Sequence, residues 1–302
     1  MIFRNAALNS LLRIPFELVH DRLIQLEESG NFDDCHIIKI LCDLIRCFKN
    51  KNVYEKEIVK TIYNLKRQIG RIFEKYNRYS QEDSVDFYKN FLNCLLEEFK
   101  SSVKFAKEDN QFIETEFRLD YQNKEYYIQR LKETITNYKN EFYTPENFMS
   151  NLYEGVFVNE YLCTICGKSS CSLERFIDIT LQTVSDDYSN KEINLVNSLE
   201  LFFGEQYFGE EGIPCSECNQ LGIFYGNKYI ACLPRIISIT LDRADIFNNR
   251  KDNRKIKQVL ELDLSKFLIF QENGKFELFS SIIHFGGLNS GHYIRYIFFK
   301  FV

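Results

Sequence analysis

Apolar residues recur at every third or fourth position through much of the first hundred residues, a spacing that predicts amphipathic helices. The pattern is clearest in three segments, 33–48, 57–76 and 81–99. In the first of these, Asp33 and Asp34 stand where helix-capping residues are expected. The charged stretch 100–143 lacks the spacing, and we interpret it as a long polar helix or as an inserted, partly ordered loop.

A different pattern follows Pro145, where short segments rich in β-branched and aromatic residues are separated by turn residues. The strand candidates are 176–184, 228–233, 235–243, 276–285 and 292–299. In the third candidate, apolar Ile239 and Leu241 alternate with polar Ser238 and Thr240, as in a half-buried strand. Helices that precede strands along the chain predict an α+β fold.

Composition narrows the class of protein. The net charge of −5 provides no attraction for nucleic acid or for an anionic membrane. No apolar run approaches the roughly 20 residues that span a bilayer, and the first residues lack the apolar block of a secretory signal. We therefore expect an intracellular protein, cytoplasmic or nuclear, whose ten cysteines are reduced thiols or metal ligands.

Four of the cysteines form two C-x-x-C pairs, Cys163 with Cys166 and Cys215 with Cys218. Each pair presents two thiolates to one ion, and two pairs complete the tetrahedral sulfur site that structural zinc prefers. The alternatives are a redox motif and thiols that are paired by chance. A redox motif needs only one pair, at a helix start within a βαβ unit, and neither pair has that setting. The spacing favours structural zinc.

Several motifs resemble those of the ubiquitin-specific proteases, and they occur in the family's order. Residues 81–96 are similar to the QxDxxEF helix of that family, with Gln81, Asp83 and Asp86 at the signature positions. The other similar segments contain the two C-x-x-C pairs, a strand and a Gly-His-Tyr motif, and they are 152–181, 197–218, 233–243 and 280–296. The resemblance covers nearly the whole chain.

The resemblance implies one domain over residues 1–302 with the papain-like fold of the family, which is shaped like a hand. A helical thumb would occupy 1–143, zinc-stapled β fingers 144–235, and a β-sheet palm 236–302. The implied partner is ubiquitin or a ubiquitinated protein, whose C-terminal tail would lie between thumb and palm.

The same resemblance assigns Gln81, Asp83 and Tyr293 to the ubiquitin-binding site. Asp83 would face the basic tail of ubiquitin, where a charge-assisted bond to Arg can fix a flexible segment. Taken alone, Asp83 is better explained as an acid that favours a helix N-terminus.

The catalytic positions of the family are only partly matched. His292 occupies the position of the general base in the palm. In the nucleophile motif, Asn9 and Ser10 fix the register, and the position of the cysteine falls on Ala6. A methyl group cannot attack a carbonyl carbon, so the chain as written lacks the family's nucleophile.

Two further family elements are not matched within the sequence. The oxyanion asparagine would fall on Met1, and the residue that orients the histidine would lie beyond Val302. We therefore expect a ubiquitin-binding pseudo-deubiquitinase. One alternative is an active cysteine deubiquitinase seen through an incomplete or Cys-to-Ala sequence. The other is a zinc-stapled interaction module that no longer binds ubiquitin.

Overall fold

The computed structural model describes most of the chain and divides it into two compact units. The first unit comprises Met1–Lys107 with Leu278–Val302, and the second comprises Glu108–Glu277. The described residues are 16–30, 32, 34–50, 55–77, 82–102, 117–119, 129, 133, 136, 148–167, 169–183, 192–215, 218–245, 249–257, 259–269, 273–288 and 290–298. The predicted boundaries of thumb, fingers and palm remain predictions.

The described part of the first unit is built mainly from helices. They are α1 (Phe16–Glu28), α2 (His36–Lys49), α3 (Glu55–Ile72), a 3-10 turn (Glu74–Asn77) and α4 (Ser84–Ser102). The apolar positions that predicted the helices form their buried faces, including Ile37, Leu44 and Ile45 of α2, Leu65 and Ile69 of α3, and Leu92, Leu95 and Phe99 of α4. The three helices predicted from the spacing are confirmed.

The N-terminus of α2 is capped by a residue from another helix. The N-cap position is Cys35, whose side chain forms no capping bond. The backbone N–H groups of Ile37 and Ile38 instead donate to the Glu98 carboxylate of α4, each at 2.9 Å from Oε2. The expectation of a cap from Asp34 is therefore wrong, and Asp33 lies outside the described residues.

A β-hairpin belongs to the same unit. Its strands are β14 (Ser280–Gly286) and β15 (Gly291–Ile297), which pair antiparallel. These strands confirm the two predicted segments nearest the C-terminus and carry the Gly-His-Tyr motif.

The second unit contains a five-stranded sheet with the order β1–β3–β2–β7–β6. Its strands are β1 (Phe117–Leu119), β2 (Gly155–Cys163), β3 (Ser169–Phe176), β6 (Gln206–Pro214) and β7 (Leu221–Cys232). The short strand β1 lies inside the segment interpreted as a polar helix or a loop, so that part of the segment is extended.

Shorter elements surround this sheet. The helices are α5 (Phe148–Tyr153) and α6 (Leu195–Phe203), with a 3-10 turn at Ser265–Phe267. The strands are β4 (Ile179–Gln182), β5 (Glu192–Asn194), β8 (Ile239–Asp242), β9 (Ala244–Asp245), β10 (Arg250–Lys251), β11 (Lys255–Lys257), β12 (Glu261–Asp263) and β13 (Lys275–Glu277). Among the described helices, none is long and apolar enough to cross a membrane.

The core of the second unit lies between the large sheet and α6. It is formed by buried residues that include Phe157, Phe176, Ile179, Leu181, Leu199, Phe203 and Ile230. Ile239 and Leu241 of β8 pack against this core, whereas the hydroxyls of Ser238 and Thr240 donate to the Asp178 carboxylate at 3.0 and 2.7 Å. The alternation predicted for this strand is confirmed, and so is the α+β class.

Candidate functional site

The two C-x-x-C pairs meet at the ends of neighbouring hairpins in the second unit. Cys163 ends β2, and Cys215 directly follows β6. Because β2 pairs with β7, which follows the second pair, the connections β2–β3 and β6–β7 lie side by side. The sulfur atoms of Cys163, Cys166, Cys215 and Cys218 all lie within 4.8 Å of one another. The structure therefore brings together the four residues that the sequence paired.

Each pair is held in the same kind of turn. The N–H of Gly167 donates to the carbonyl of Cys163 at 2.9 Å, and that of Asn219 donates to the carbonyl of Cys215 at 2.8 Å. Both donors have positive φ angles, +67° for Gly167 and +54° for Asn219. Glycine and asparagine are the residues that enter this region most readily. Gly167 and Asn219, which follow the second cysteine of each pair, thus close the turns that direct both sulfur atoms of a pair to the same side.

The four sulfur atoms fit a tetrahedral metal site. A zinc–sulfur bond of about 2.3 Å places the sulfur atoms of a regular tetrahedron about 3.8 Å apart. The Cys166 and Cys215 sulfur atoms lie 3.8 Å apart. Cys163 and Cys215 are buried, which shields the centre from solvent, while Cys166 and Cys218 are partly exposed. The cluster can therefore hold a thiophilic ion.

Asp83 performs two tasks in the first unit. It precedes α4, and its Oδ1 accepts the N–H groups of Val85 at 2.6 Å and Asp86 at 3.3 Å, which is the geometry of a helix N-cap. Its Oδ2 lies 3.4 Å from the hydroxyl of Tyr293 on β15. Asp83 itself remains exposed. Asp83 therefore caps the helix, as its position in the sequence predicts, and also contacts Tyr293, another predicted site residue.

Tyr293 is held on its other side by a histidine. The rings of Tyr293 and His284 stack with their centroids 4.5 Å apart and their planes at 29°, and the two residues are cross-strand partners. Burial and then the nearby Asp83 carboxylate raise the pKa of the Tyr293 hydroxyl, so this group stays protonated and acts as the donor.

The stacked histidine depends on a glycine. A Cβ atom at Gly291 would lie 2.2 Å from Nε2 of His284 and 2.2 Å from the carbonyl oxygen of Phe285. Only glycine leaves room for this imidazole beside β15. Close packing against His284 and the Phe285 carbonyl thus explains why the first position of the Gly-His-Tyr motif is glycine in this chain.

His292 lies on the opposite face of the hairpin from Tyr293. It is exposed, and its cross-strand partner is Phe285, which is 53% exposed. The hairpin therefore presents the imidazole predicted as the base to solvent. Ala6 and Gln81, the other predicted site residues of this unit, lie outside the described residues.

Asp86, at the last signature position of the helix motif, takes part in a polar cluster. Its carboxylate accepts the Tyr76 hydroxyl at 2.8 Å and the Asn90 amide at 3.2 Å, and it pairs with Lys75. Burial acts to raise the pKa of Asp86, but the bonds from Lys75 and Tyr76 outweigh it and lower that pKa. Sequence reasoning missed this cluster, because Lys75 and Tyr76 belong to a neighbouring element.

Comparison with known proteins identifies related chains. The family described as ubiquitin carboxyl-terminal hydrolase matches residues 2–301. Ubiquitin carboxyl-terminal hydrolase 4 of Arabidopsis thaliana is 24% identical over 231 residues, which cover 74% of this chain and 59% of the relative. Ubiquitin carboxyl-terminal hydrolase 17-like protein D of Mus musculus is 25% identical over 150 residues, which cover 49% of this chain and 27% of the relative.

Solved structures show the same fold. A chain of the SAGA Ubp8/Sgf11/Sus1/Sgf73 DUB module bound to ubiquitin aldehyde is similar with a TM-score of 0.70 and 18% identity, and the match covers 99% of this chain and 60% of that one. A chain of the same module with a cysteine-to-alanine variant of Ubp8, bound to monoubiquitin, gives a TM-score of 0.69 and 16% identity over 97% of this chain and 59% of that one. The predicted ubiquitin-specific protease fold class is confirmed, and the chain spans about three fifths of these solved chains.

Proposed function

Because the chain belongs to the ubiquitin carboxyl-terminal hydrolase family, we propose that it binds ubiquitin or ubiquitinated proteins and, as written, does not hydrolyse them. The observation that carries this proposal is alanine at position 6, in the register that Asn9 and Ser10 fix. Without a thiolate at this position no acyl-enzyme intermediate can form. Binding of ubiquitin by the fold does not require that thiolate.

The solved relatives support this separation of binding from catalysis. In one of them, a module with a cysteine-to-alanine variant of Ubp8 is bound to monoubiquitin. A cysteine-to-alanine change in that protein is thus compatible with a ubiquitin complex. We infer that Ala6 is equally compatible with ubiquitin binding in this chain.

Asp83 and Tyr293 are the described residues that we assign to the ubiquitin tail. The Asp83 carboxylate is exposed, and Oδ2 has only a long contact with the Tyr293 hydroxyl. An arginine of the tail can therefore approach this oxygen and form a charge-assisted bond. The helix cap made by Oδ1 holds the carboxylate in place while it does so.

We propose that the ion held by the four cysteines is zinc and that its role is structural. Four thiolates close a tetrahedral site and leave no open position for a substrate. When bound, zinc would tie the β2–β3 and β6–β7 connections together, as the predicted fingers require. Because the four thiolates converge only in the folded chain, the free energy of metal binding adds to the stability of the fold.

An active deubiquitinase remains the second candidate, because His292 is present and exposed. An Ala6→Cys variant separates the candidates, because an active site seen through Ala6 would then cleave a ubiquitin chain, whereas our proposal expects only slow reaction with a ubiquitin probe that carries a C-terminal electrophile. We expect mass spectrometry to show an adduct with Ala6→Cys and none with the unaltered chain, because only the variant presents a sulfur atom to the tail.

The neighbouring Ala7 provides a matched control for the register. An Ala7→Cys variant places an identical thiol one residue away, where the aligned motif does not put the nucleophile. Equal labelling of the two variants, or labelling of Ala7→Cys alone, would contradict the register. Hydrolysis of a ubiquitin chain by the unaltered protein would contradict the proposed inactivity, whereas brisk hydrolysis by Ala6→Cys would favour the second candidate.

A further inference from the structure

The outer face of α3 carries a row of four basic residues and a tyrosine that the ubiquitin site does not use. Successive members are four, three, four and four positions apart, which places them along one side of the helix. All are exposed, and they lie opposite the buried Leu65 and Ile69. The row consists of Lys56, Lys60, Tyr63, Arg67 and Arg71.

The charge of this row is of a single sign. Residues 58–73 include four basic residues and no acidic one, and the acids nearest in sequence are Glu55 and Glu57 before them and Glu74 after them. An exposed helix face that only keeps a protein in solution usually mixes both signs. Lys56 stands between Glu55 and Glu57, but from Lys60 to Arg71 the helix carries cations without interspersed acids, and this is a feature to be explained.

Other cations of the same unit have acidic partners within the chain. Arg46 pairs with Glu27 at 2.5 Å, and Lys75 pairs with Asp86. In the described part of the chain, no ion pair involves Lys56, Lys60 or Arg67. These positive charges thus remain available to acidic groups from outside the chain.

Two apolar side chains lie within and beside the row. Tyr63 is 58% exposed, and Val59, one turn before it, is 55% exposed. Aromatic residues and arginine are enriched at protein interfaces, where an apolar centre is surrounded by polar groups. Exposed apolar side chains beside basic residues therefore indicate a binding surface rather than a helix face that only contacts solvent.

We propose that the outer face of α3 is a docking surface for an acidic amphipathic helix of a partner protein. From Lys56 to Arg71 the row is about 22 Å long, at a rise of about 1.5 Å per residue, which matches about four turns of a second helix. The apolar seam of that helix would pack on Val59 and Tyr63, and its flanking carboxylates would pair with the basic row.

A nucleic acid fits this surface less well. A phosphate backbone would engage the basic side chains alone and would leave the apolar surface of Tyr63 and Val59 without a partner. The exposed Val59 offers a contact that a sugar–phosphate backbone cannot use. The surface therefore favours an acidic protein segment over DNA or RNA.

The test uses the full chain and a labelled synthetic helix of about 18 residues, with leucines on one face and glutamates elsewhere. We expect fluorescence anisotropy to detect binding that weakens as salt is raised. A Lys60→Glu/Arg67→Glu double variant should weaken binding at least tenfold, and Tyr63→Ala should weaken it severalfold. The single variants Lys60→Glu and Arg67→Glu should each weaken binding severalfold, and Arg22→Glu, the same charge reversal at an exposed position of α1 in the same unit, is their matched control and should change little.

Three outcomes would overturn the proposal. They are no binding of the acidic helix, equal weakening by Arg22→Glu and by the α3 variants, and tighter binding of a DNA duplex that does not depend on Tyr63. Circular dichroism melting of each variant checks that the fold is retained. Titration with monoubiquitin should be unaffected by the α3 variants, so that failure here and failure of the proposed ubiquitin binding are distinguished.

Discussion

The hydroxyl of Tyr293 lies 3.4 Å from Oδ2 of Asp83, although 210 residues separate them in the sequence. The other oxygen of the same carboxylate caps α4. Asp83 therefore connects the start of a helix with the strand that carries His292. Its role in stability and its proposed role in ubiquitin binding can be separated, because the cap needs an oxygen and the ubiquitin tail needs a charge.

Two substitutions at Asp83 test this separation. Asp83→Asn retains a capping oxygen and removes the charge, so it should leave the melting temperature nearly unchanged and weaken monoubiquitin binding in calorimetry. Asp83→Ala removes both and should also lower the free energy of unfolding by about 1 kcal/mol. Undiminished ubiquitin affinity in both variants would remove Asp83 from the binding site.

The hairpin offers a prediction with an internal control. Gly291→Ala places a methyl group against His284 and the Phe285 carbonyl, and we expect it to cost about 1–3 kcal/mol of unfolding free energy. Gly287 lies in the same hairpin, and a Cβ atom added there would have no neighbouring atom within 4 Å. Gly287→Ala should therefore change stability by less than about 0.5 kcal/mol. Chemical denaturation measures both variants, and similar values for the two would show that the His284 packing is incorrect.

The zinc proposal predicts about one ion per chain. Cys215→Ser should abolish stoichiometric zinc in elemental analysis and lower the melting temperature, because metal binding contributes to folding. Cys47, a partly exposed cysteine of α2, provides the control, and Cys47→Ser should keep its zinc. Chelator-free protein that contains no zinc, or a Cys215→Ser variant with full zinc content, would contradict the assignment.

His20 predicts a loss of stability in mild acid. It is buried in α1, and burial, followed by the nearby Lys49, lowers its pKa from 6.5 to about 4. Between these values the unfolded chain binds a proton that the folded chain does not, so stability is full above pH 6.5 and falls as the pH decreases toward 4. At a pH of about 5 the loss relative to a pH of about 7.5 is about 2 kcal/mol.

A His20→Leu variant isolates this contribution. Its unfolding free energy should decrease less between about pH 7.5 and about pH 5 than that of the unaltered chain, by the same amount of about 2 kcal/mol. Denaturant titrations at the two pH values provide the comparison. Parallel decreases in the two proteins would mean that another group causes the pH dependence.

Local patterns in the sequence predicted local structure well. Helical spacing identified α2, α3 and α4, alternation identified β8, and the C-x-x-C pairs identified residues whose sulfur atoms converge. Each of these signals comes from residues that are neighbours in the sequence, or from a residue type whose chemistry requires partners.

Contacts between distant elements were not predictable in the same way. Glu98 caps α2 from 61 residues away, although Asp34 stands beside that helix. The stacking of His284 on Tyr293 depends on the register of the hairpin, and a shift of one residue would move His284 to the other face. Such contacts depend on how elements that are distant in the sequence pack together, and a short stretch of sequence carries no information about that packing.

Native mass spectrometry of the unaltered chain with an excess of isopeptide-linked diubiquitin tests the central claim most directly, since it detects binding and hydrolysis together. We predict a persistent complex at the combined mass of the chain and intact diubiquitin, without release of monoubiquitin over hours. Release of monoubiquitin would contradict the proposed inactivity, and the absence of any complex would contradict ubiquitin binding.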